Sequence, residues 1–207
     1  MSYIYLIRHG QTRMNRADVF RGVTDVPLDE AGREQAVAVG KALKDHGVER
    51  IVASSLSRAA ETAAIVSEKL GGVPVDLDRR LADIHLGEWQ GLNVSQVQEK
   101  YPKLYEAWLT RPGEVVFPGG ESMEKVAMRY WECLTEITKK YSGRTIAMIG
   151  HRITNKILLG WVIGAKWEAF WKIRQDTACL NVLSDEGGQL QAHLINDTCH
   201  LQTRWSS

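Results

Sequence analysis

Two histidines and two arginines stand at positions where chemistry can be done. Arg8-His9-Gly10 follows a run of five apolar or aromatic residues, 3–7, and Gly150-His151-Arg152 follows a second strand-like stretch, 145–149, apolar from Ile146 onward. Arg58 lies just beyond a third and shorter one, 51–53, in Ser54-Ser55-Leu56-Ser57-Arg58-Ala59. A guanidinium offers paired, planar donors that fit the oxygens of a phosphate, where lysine acts only as a point charge. Gly10 allows close backbone approach beside the imidazole, and Gln11 and Thr12 add an amide and a hydroxyl to the same turn. Taken singly, each residue has a plainer use: a strand-end histidine fixing a loop, or an arginine facing water. Together they predict a phosphate pocket that requires no metal. The chain has no His-x-x-x-His pair or acidic cluster, and neither Gly71-Gly72 nor Gly187-Gly188 leads into the Lys-Ser/Thr of a phosphate-binding loop.

Something must carry these side chains to one place. The opening run, 3–7, is rich in β-formers and too short for a core helix, so it reads as a strand buried on both faces. Asp29 is a plausible N-cap for a helix whose apolar positions Ala36, Val37, Val39, Gly40 and Leu43 recur at helical spacing until Gly47. A short strand at 50–53 then turns into a helix that carries Arg58 in its first turn. The alternation of strand and helix with short connections argues for a mainly parallel sheet flanked by helices. In such a sheet the carboxyl ends of the strands share one edge, where ligands bind. The span 93–109 predicts one or two short helices broken at Pro102, and 121–141 predicts a long amphipathic helix. The segments 178–183 and 190–195, joined by Asp185-Glu186-Gly187-Gly188, predict a hairpin.

Composition narrows the function classes. With 207 residues, 44% of them apolar, the chain can bury a full core without a disulfide framework. It reads as a single domain over 1–207, with a helical, cap-like insertion around 91–120. Lys plus Arg number 26 against 25 for Asp plus Glu, and the formal net charge of +1 supplies no general field for nucleic acid or an anionic membrane. Any positive site must be local. Cys133, Cys179 and Cys199 are widely spaced and form no Cys-x-x-Cys pair, as expected of reduced thiols in a cytoplasmic protein. The longest later apolar stretch, 157–165, is far below the roughly 20 residues that span a bilayer. Trp161, Trp167, Phe170 and Trp171 are either core or the surface of a homodimer.

The motifs Leu6-Ile7-Arg8-His9-Gly10-Gln11-Thr12 with Asn15, Ser54 to Ala59 with Thr62-Ala63, Gly87-Glu88-Trp89-Gln90-Gly91, Gly119-Gly120-Glu121-Ser122 and Gly150-His151 occur in one order along most of the chain. In this the chain resembles the histidine phosphatase, or phosphoglycerate mutase-like, superfamily, and within it the small cytosolic phosphatases. The resemblance implies a three-layer α/β/α sandwich with a mainly parallel central sheet. It also implies that His9 attacks phosphorus to form a phosphohistidine while Arg8, Asn15, Arg58 and His151 hold the phosphoryl group, with no cofactor. A neutral imidazole attacks only through its unprotonated nitrogen, so a backbone carbonyl near Gly10 or in the following loop is expected to fix the His9 tautomer.

Departures from the family pattern mark what is specific to this chain. Relatives place a glutamate as proton donor two residues before the position of His85, and here that residue is Asp83; Glu88 is the alternative. Arg21 stands in Phe20-Arg21-Gly22, where many relatives have glutamine, and is a candidate for recognising a carboxylate or second anionic group. Gln11, Thr12, His85, Arg152 and His200 complete the candidate substrate-binding set. The implied substrate is a small phosphomonoester, such as phosphoserine, a phosphoglycerate derivative or α-ribazole 5′-phosphate. The alternatives are a cofactor-dependent phosphoglycerate mutase and a non-catalytic phosphate-binding protein. The short span from Gly91 to Gly120 holds only Lys100, Lys103 and Arg111 as basic residues and lacks the long basic insertion of the mutases, which favours hydrolysis.

Overall fold

The structure, a computed structural model, describes residues 1–15 and 19–201. In chain order these form β1 (Ser2–Arg8), α1 (Glu30–Ala42), β2 (Val48–Ser54), α2 (Ser57–Lys69), β3 (Val75–Asp78), α3 (Val94–Lys100), α4 (Pro102–Thr110), α5 (Met123–Lys140), β4 (Thr145–Gly150), α6 (Arg152–Val162), β5 (Leu180–Glu186) and β6 (Gln189–Asp197). The six strands form one sheet in the order β3-β2-β4-β1-β5-β6. The first four are parallel, whereas β5 and β6 run antiparallel as the expected hairpin.

Because side chains alternate along a strand, β1 feeds two cores. Ile4 and Leu6 pack with Leu134 of α5 and Leu158 and Leu159 of α6. Tyr5 and Ile7 face the other way, onto Val39 of α1 with its C-cap Leu43 and onto Ala59, Ala63 and Val66 of α2. The result is a three-layer α/β/α sandwich, with α5 and α6 on one face and α1 and α2 on the other. A third apolar cluster joins Trp89 and Trp108 to Phe117, Val126, Ile157 and Phe170, seating α3 and α4 beside the sheet edge. Trp161 and Trp167 pack against this cluster and Phe170 lies within it, while Trp171 is 42% exposed. No described helix is long and apolar enough to cross a membrane.

The caps explain where the helices begin. Asp29 accepts from the Gly32 N–H at 2.8 Å, as its position predicts, and Ser122 caps α5. At α2 the preceding Leu56 offers no side-chain cap. Asp25 does so from a distance, accepting from the Ser57 N–H at 2.8 Å and the Ser57 hydroxyl at 2.6 Å.

Candidate active site

Parallel pairing aligns Arg8 with Gly150 and Ala53 with Ile149, so β1, β2 and β4 end together. The residues that follow, His9, Ser54 and His151, are all fully buried. Arg58, in the first turn of α2, is also fully buried. The His9 and His151 rings lie 5.2 Å apart, centroid to centroid.

His9 Nδ1 sits 2.6 Å from the Gly10 carbonyl oxygen. Only an N–H can face a carbonyl, so Nδ1 carries the proton and Nε2 is left with a lone pair. That Nε2 is buried and has no hydrogen-bond partner among the described residues. Burial, with the charges of Arg58, Arg8 and Arg21, pushes the His9 ring well below its ordinary pKa, against the opposing pull of the Gly10 carbonyl. The ring is therefore held neutral at neutral pH, with the lone pair of Nε2 free. His151 is lowered in the same way, by burial first and then by Arg58, His9, Arg21 and Arg8. Its Nδ1 accepts from Arg58 Nε at 3.2 Å, which leaves Nε2–H to donate to Ser54 Oγ at 2.8 Å.

The arginines are held by carbonyl groups, which leaves their charge available. Arg58 donates to the Thr24 and Gly22 carbonyls, each at 2.9 Å, and approaches Asp83 Oδ2 at 3.5 Å. Arg8 donates to the Gln175 carbonyl at 2.7 Å, while its buried Nε is unpartnered among the described residues. Burial first, and then the neighbouring Arg152 and Arg21, lower Arg8 to about 9. The loop ahead of β5 supports both Arg8 and His9: Arg8 N–H donates to the Cys179 carbonyl, and the Ala178 N–H donates to the His9 carbonyl at 3.1 Å.

Asp83 is buried and lines a cavity of about 240 Å³ together with Arg21, Gly22, Arg152, Tyr105, Trp108 and Trp171. Its Oδ1 accepts from the Ile84 N–H at 3.0 Å. Arg129 of α5 grips this segment by donating to the carbonyls of Arg80, Ala82 and Asp83, and it pairs with Glu121, whose carboxylate accepts the His85 N–H. Glu88, by contrast, is exposed, accepts from the Tyr101 hydroxyl and faces Lys100, away from the cavity lining.

The remaining candidates fall on both sides of the pocket wall. Thr12 is buried, and its N–H and hydroxyl both donate to Asn15 Oδ1, at 2.9 and 2.8 Å. Arg21 Nη1 donates to Thr12 Oγ1 at 2.9 Å. The Gln11 side chain turns away to Asp29 at 3.0 Å, serving the start of α1. His85 Nδ1 accepts the Gly87 N–H at 3.1 Å and is absent from the cavity lining, so it organises its loop. His200 lies behind the site, donating to the Ala178 carbonyl at 3.0 Å and lining a separate cavity with Glu34 and Lys41. The close approach that Gly10 allows is to α1: a Cβ on Gly10 would strike the Gly32 carbonyl, and one on Gly32 would strike that of Gln11.

Sequence reasoning passed over several members of this assembly. Ser54 stands in the sequence only as part of the strand-to-helix turn and motif that carry Arg58, and nothing in the amphipathic span 121–141 singles out Arg129. Trp171 comes from a segment distant in sequence from Trp108, yet its indole N–H donates to the Trp108 carbonyl at 3.0 Å to build one apolar wall.

Comparison with known proteins agrees with this geometry. Residues 4–198 match the model of the histidine phosphatase superfamily (branch 1). The chain belongs to that superfamily. It is 29% identical over 201 residues to phosphoserine phosphatase 1 of Hydrogenobacter thermophilus, covering 97% of this chain and 95% of that protein. Among solved structures, Bacillus stearothermophilus YhfR superposes with a TM-score of 0.91 at 28% identity, covering 98% of this chain and 100% of the other. A mycobacterial glucosyl-3-phosphoglycerate phosphatase, solved with VO3, gives a TM-score of 0.85 at 29% identity over 95% of this chain and 99% of its own.

Proposed function

We propose that this histidine phosphatase hydrolyses a small phosphomonoester through a phosphohistidine on His9, without a metal. The observation that carries the reading is the His9 ring itself. Its Nδ1–H is fixed on Gly10 and its Nε2 is buried and unpartnered, among Arg8, Arg58 and His151. In the first step the Nε2 lone pair attacks phosphorus and the bond from phosphorus to the ester oxygen breaks. The electron pair stays on that oxygen, which takes a proton from the Asp83 carboxyl. In the second step water attacks phosphorus, gives its proton to the Asp83 carboxylate, and the bond to nitrogen breaks to regenerate His9.

Phosphoryl transfer spreads negative charge over three equatorial oxygens, and catalysis then rests on preorganised positive donors. Arg8 and Arg58 supply these, each already oriented by main-chain carbonyls. The Nε2–H of His151, now on Ser54, and the Asn15 amide N–H2 group are further donors. The phosphatase names of the Hydrogenobacter and mycobacterial relatives support hydrolysis over isomerisation.

The test is phosphate release from a panel of phosphomonoesters in excess chelator, alongside His9→Ala and an assay for interconversion of 2- and 3-phosphoglycerate. The expected result is chelator-resistant release, loss of it in His9→Ala, and one acid-labile phosphoryl group per wild-type chain on quenching. Release that persists in His9→Ala, or isomerisation without release, would overturn the reading.

A further inference from the structure

An aspartate carries its carboxyl a single methylene from the main chain, so the carboxyl of Asp83 goes where its backbone goes. Oδ1 accepts from the adjoining Ile84 N–H at 3.0 Å, and Oδ2 stands 3.5 Å from Arg58, at the limit of a hydrogen bond. Neither contact decides where the main chain runs. That is decided by α5, on which Arg129, Cys133 and Glu136 follow one another at four- and three-residue spacing and so share one face. Glu136 pairs with Arg80, and the Cys133 thiol donates to Asp78 at 3.4 Å. Leu81, between those two contacts and Asp83, is fully buried in one cluster with Tyr130 and Leu134.

Arg129 holds the part nearest the carboxyl. A guanidinium has five N–H donors in a planar fork, and here all five are engaged. Nη1 donates to the carbonyls of Arg80 and Ala82, at 2.6 and 2.8 Å. Nη2 donates to the Asp83 carbonyl at 3.1 Å and to Glu121 Oε2 at 3.0 Å, and Nε donates to Glu121 Oε1 at 2.9 Å. Glu121 closes the clasp from the other side. Its Oε2 also accepts the His85 N–H at 2.9 Å, and its own N–H donates to the His85 carbonyl at 2.8 Å. Gly120 permits that approach, since a Cβ there would strike the His85 carbonyl. Against burial, which raises it, Arg129 and the His85 N–H hold the Glu121 carboxyl below its ordinary value, so the pair stays charged at neutral pH. One ion pair thus fixes the main chain on both sides of the Asp83 side chain.

We propose that Arg129, with Glu121 as its counter-ion, is a positioning residue for leaving-group protonation: it fixes the main chain that carries Asp83, and with it the reach of the carboxyl to the ester oxygen. Arg129 is not among the residues that line the cavity, so it acts through Asp83. The proposal rests on Asp83 as the proton donor and adds the residue on which the donor's placement depends. A misplacement of about 1 Å can cost about 10²-fold in rate, and here it would fall on proton transfer alone, because Arg8, Arg58 and His9 are braced by other segments. A lysine at 129 would keep the charge, but three donors on one nitrogen cannot span three carbonyls and a carboxylate.

Benzyl phosphate and p-nitrophenyl phosphate test it, because they are similar in size and only the benzyl alkoxide needs a proton as it leaves. The ratio of their kcat/KM values, benzyl over nitrophenyl, reports phosphoenzyme formation and cancels the folded fraction, so it is readable even where a substitution lowers stability. It is expected to fall about tenfold or more in Arg129→Met, and by less in Arg129→Lys and Glu121→Gln. In an Asp83→Asn background Arg129→Met should change it by less than about twofold, since no acid is left to misplace. A ratio that Arg129→Met leaves within about twofold of wild type, or that falls equally with and without the Asp83 carboxyl, overturns the proposal, and Arg129 then serves the fold alone. Failure of the underlying reading is distinct. If Asp83→Asn itself leaves the ratio at the wild-type value, the proton comes from elsewhere, and the assignment of Asp83 and this proposal fall together. If the wild-type protein releases phosphate from neither ester, the phosphatase reading fails with them.

Discussion

Replacing Asp83 by asparagine separates proton delivery from charge balance. Asparagine is nearly isosteric, and its oxygen can keep the 3.0 Å bond from the Ile84 N–H. Arg58 stays anchored by the Gly22 and Thr24 carbonyls and by His151, so the phosphoryl cradle keeps its shape. What is lost is the acidic proton. General acid catalysis contributes about 10²–10⁴-fold, so formation of the phosphoenzyme from an alkyl ester should slow by that factor, or ~3–5 kcal/mol in barrier. A p-nitrophenolate leaves without help, and its release should slow less than about tenfold in the same variant. The second step also loses its base. Rapid mixing with p-nitrophenyl phosphate should therefore show a burst of about one nitrophenolate per active site followed by a slow steady state, which the wild-type protein lacks or shows weakly. Equal slowing of the first step for both esters would refute the reasoning, because the carboxylate would then act by holding Arg58. An undiminished alkyl-ester rate would move the proton to Glu88 or to water.

His9 and His151 both lie below their ordinary value of 6.5 in the folded protein. Above that pH neither affects stability, but below it the unfolded chain binds protons that the folded one refuses. Stability should drop as pH falls below about 6.5, by up to ~1.4 kcal/mol per pH unit for each ring, and the slope of urea unfolding free energy against pH should be shallower in His151→Asn. At Gly32 an alanine would drive its Cβ into the Gln11 carbonyl, forcing the loop after His9 back by on the order of 1 Å. Activity should fall about 10²-fold with helix content unchanged by circular dichroism, and full activity in Gly32→Ala would show that the loop yields freely. Asp25→Ala removes the remote cap of α2 and should cost ~1 kcal/mol in thermal or chemical unfolding, with a higher KM because the carbonyls of Gly22 and Thr24 brace Arg58 from the same loop.

The sheet edge that gathers His9, Arg58 and His151 was legible because it depends on local signals. A strand of the right length followed by His9 or His151, and a strand-to-helix turn carrying Arg58, place their residues once the sheet is parallel. The family's motif order singled out Asp83 and Asn15 as well, and the fold brings Asp83 to within 3.5 Å of Arg58 and sets Asn15 on Thr12. What stayed hidden depends on contacts between distant segments. Gln11 looks like a ligand in sequence, but Asp29 captures it. Asp25 lies outside every helix and strand and acts as a helix cap 32 residues away. His85 and His200 have side chains fit for a site, yet each satisfies a nearby main-chain group. The aromatic residues divided by depth: Trp89 is fully buried, whereas Tyr105, Trp108 and Trp171 form the cavity wall. Nothing in residue type distinguishes those two fates.

The strand order also has a consequence for how the protein is made. β1 lies between β4 and β5, whose residues are numbered 145 and above, so in the order of synthesis the strand leading to His9 emerges long before either neighbour. Until then its main-chain donors and acceptors and its apolar side chains have no sheet to join. Pairings that distant in sequence slow folding, and an unpaired apolar strand invites association with other chains. The phosphate cradle shares this timing. His151 and the loop that holds Arg8 and His9 arrive only with the last third of the chain. A ribosome-bound nascent chain truncated before residue 175 should therefore lack an assembled nucleophile, and activity should appear on the ribosome only when β5 has cleared the exit tunnel.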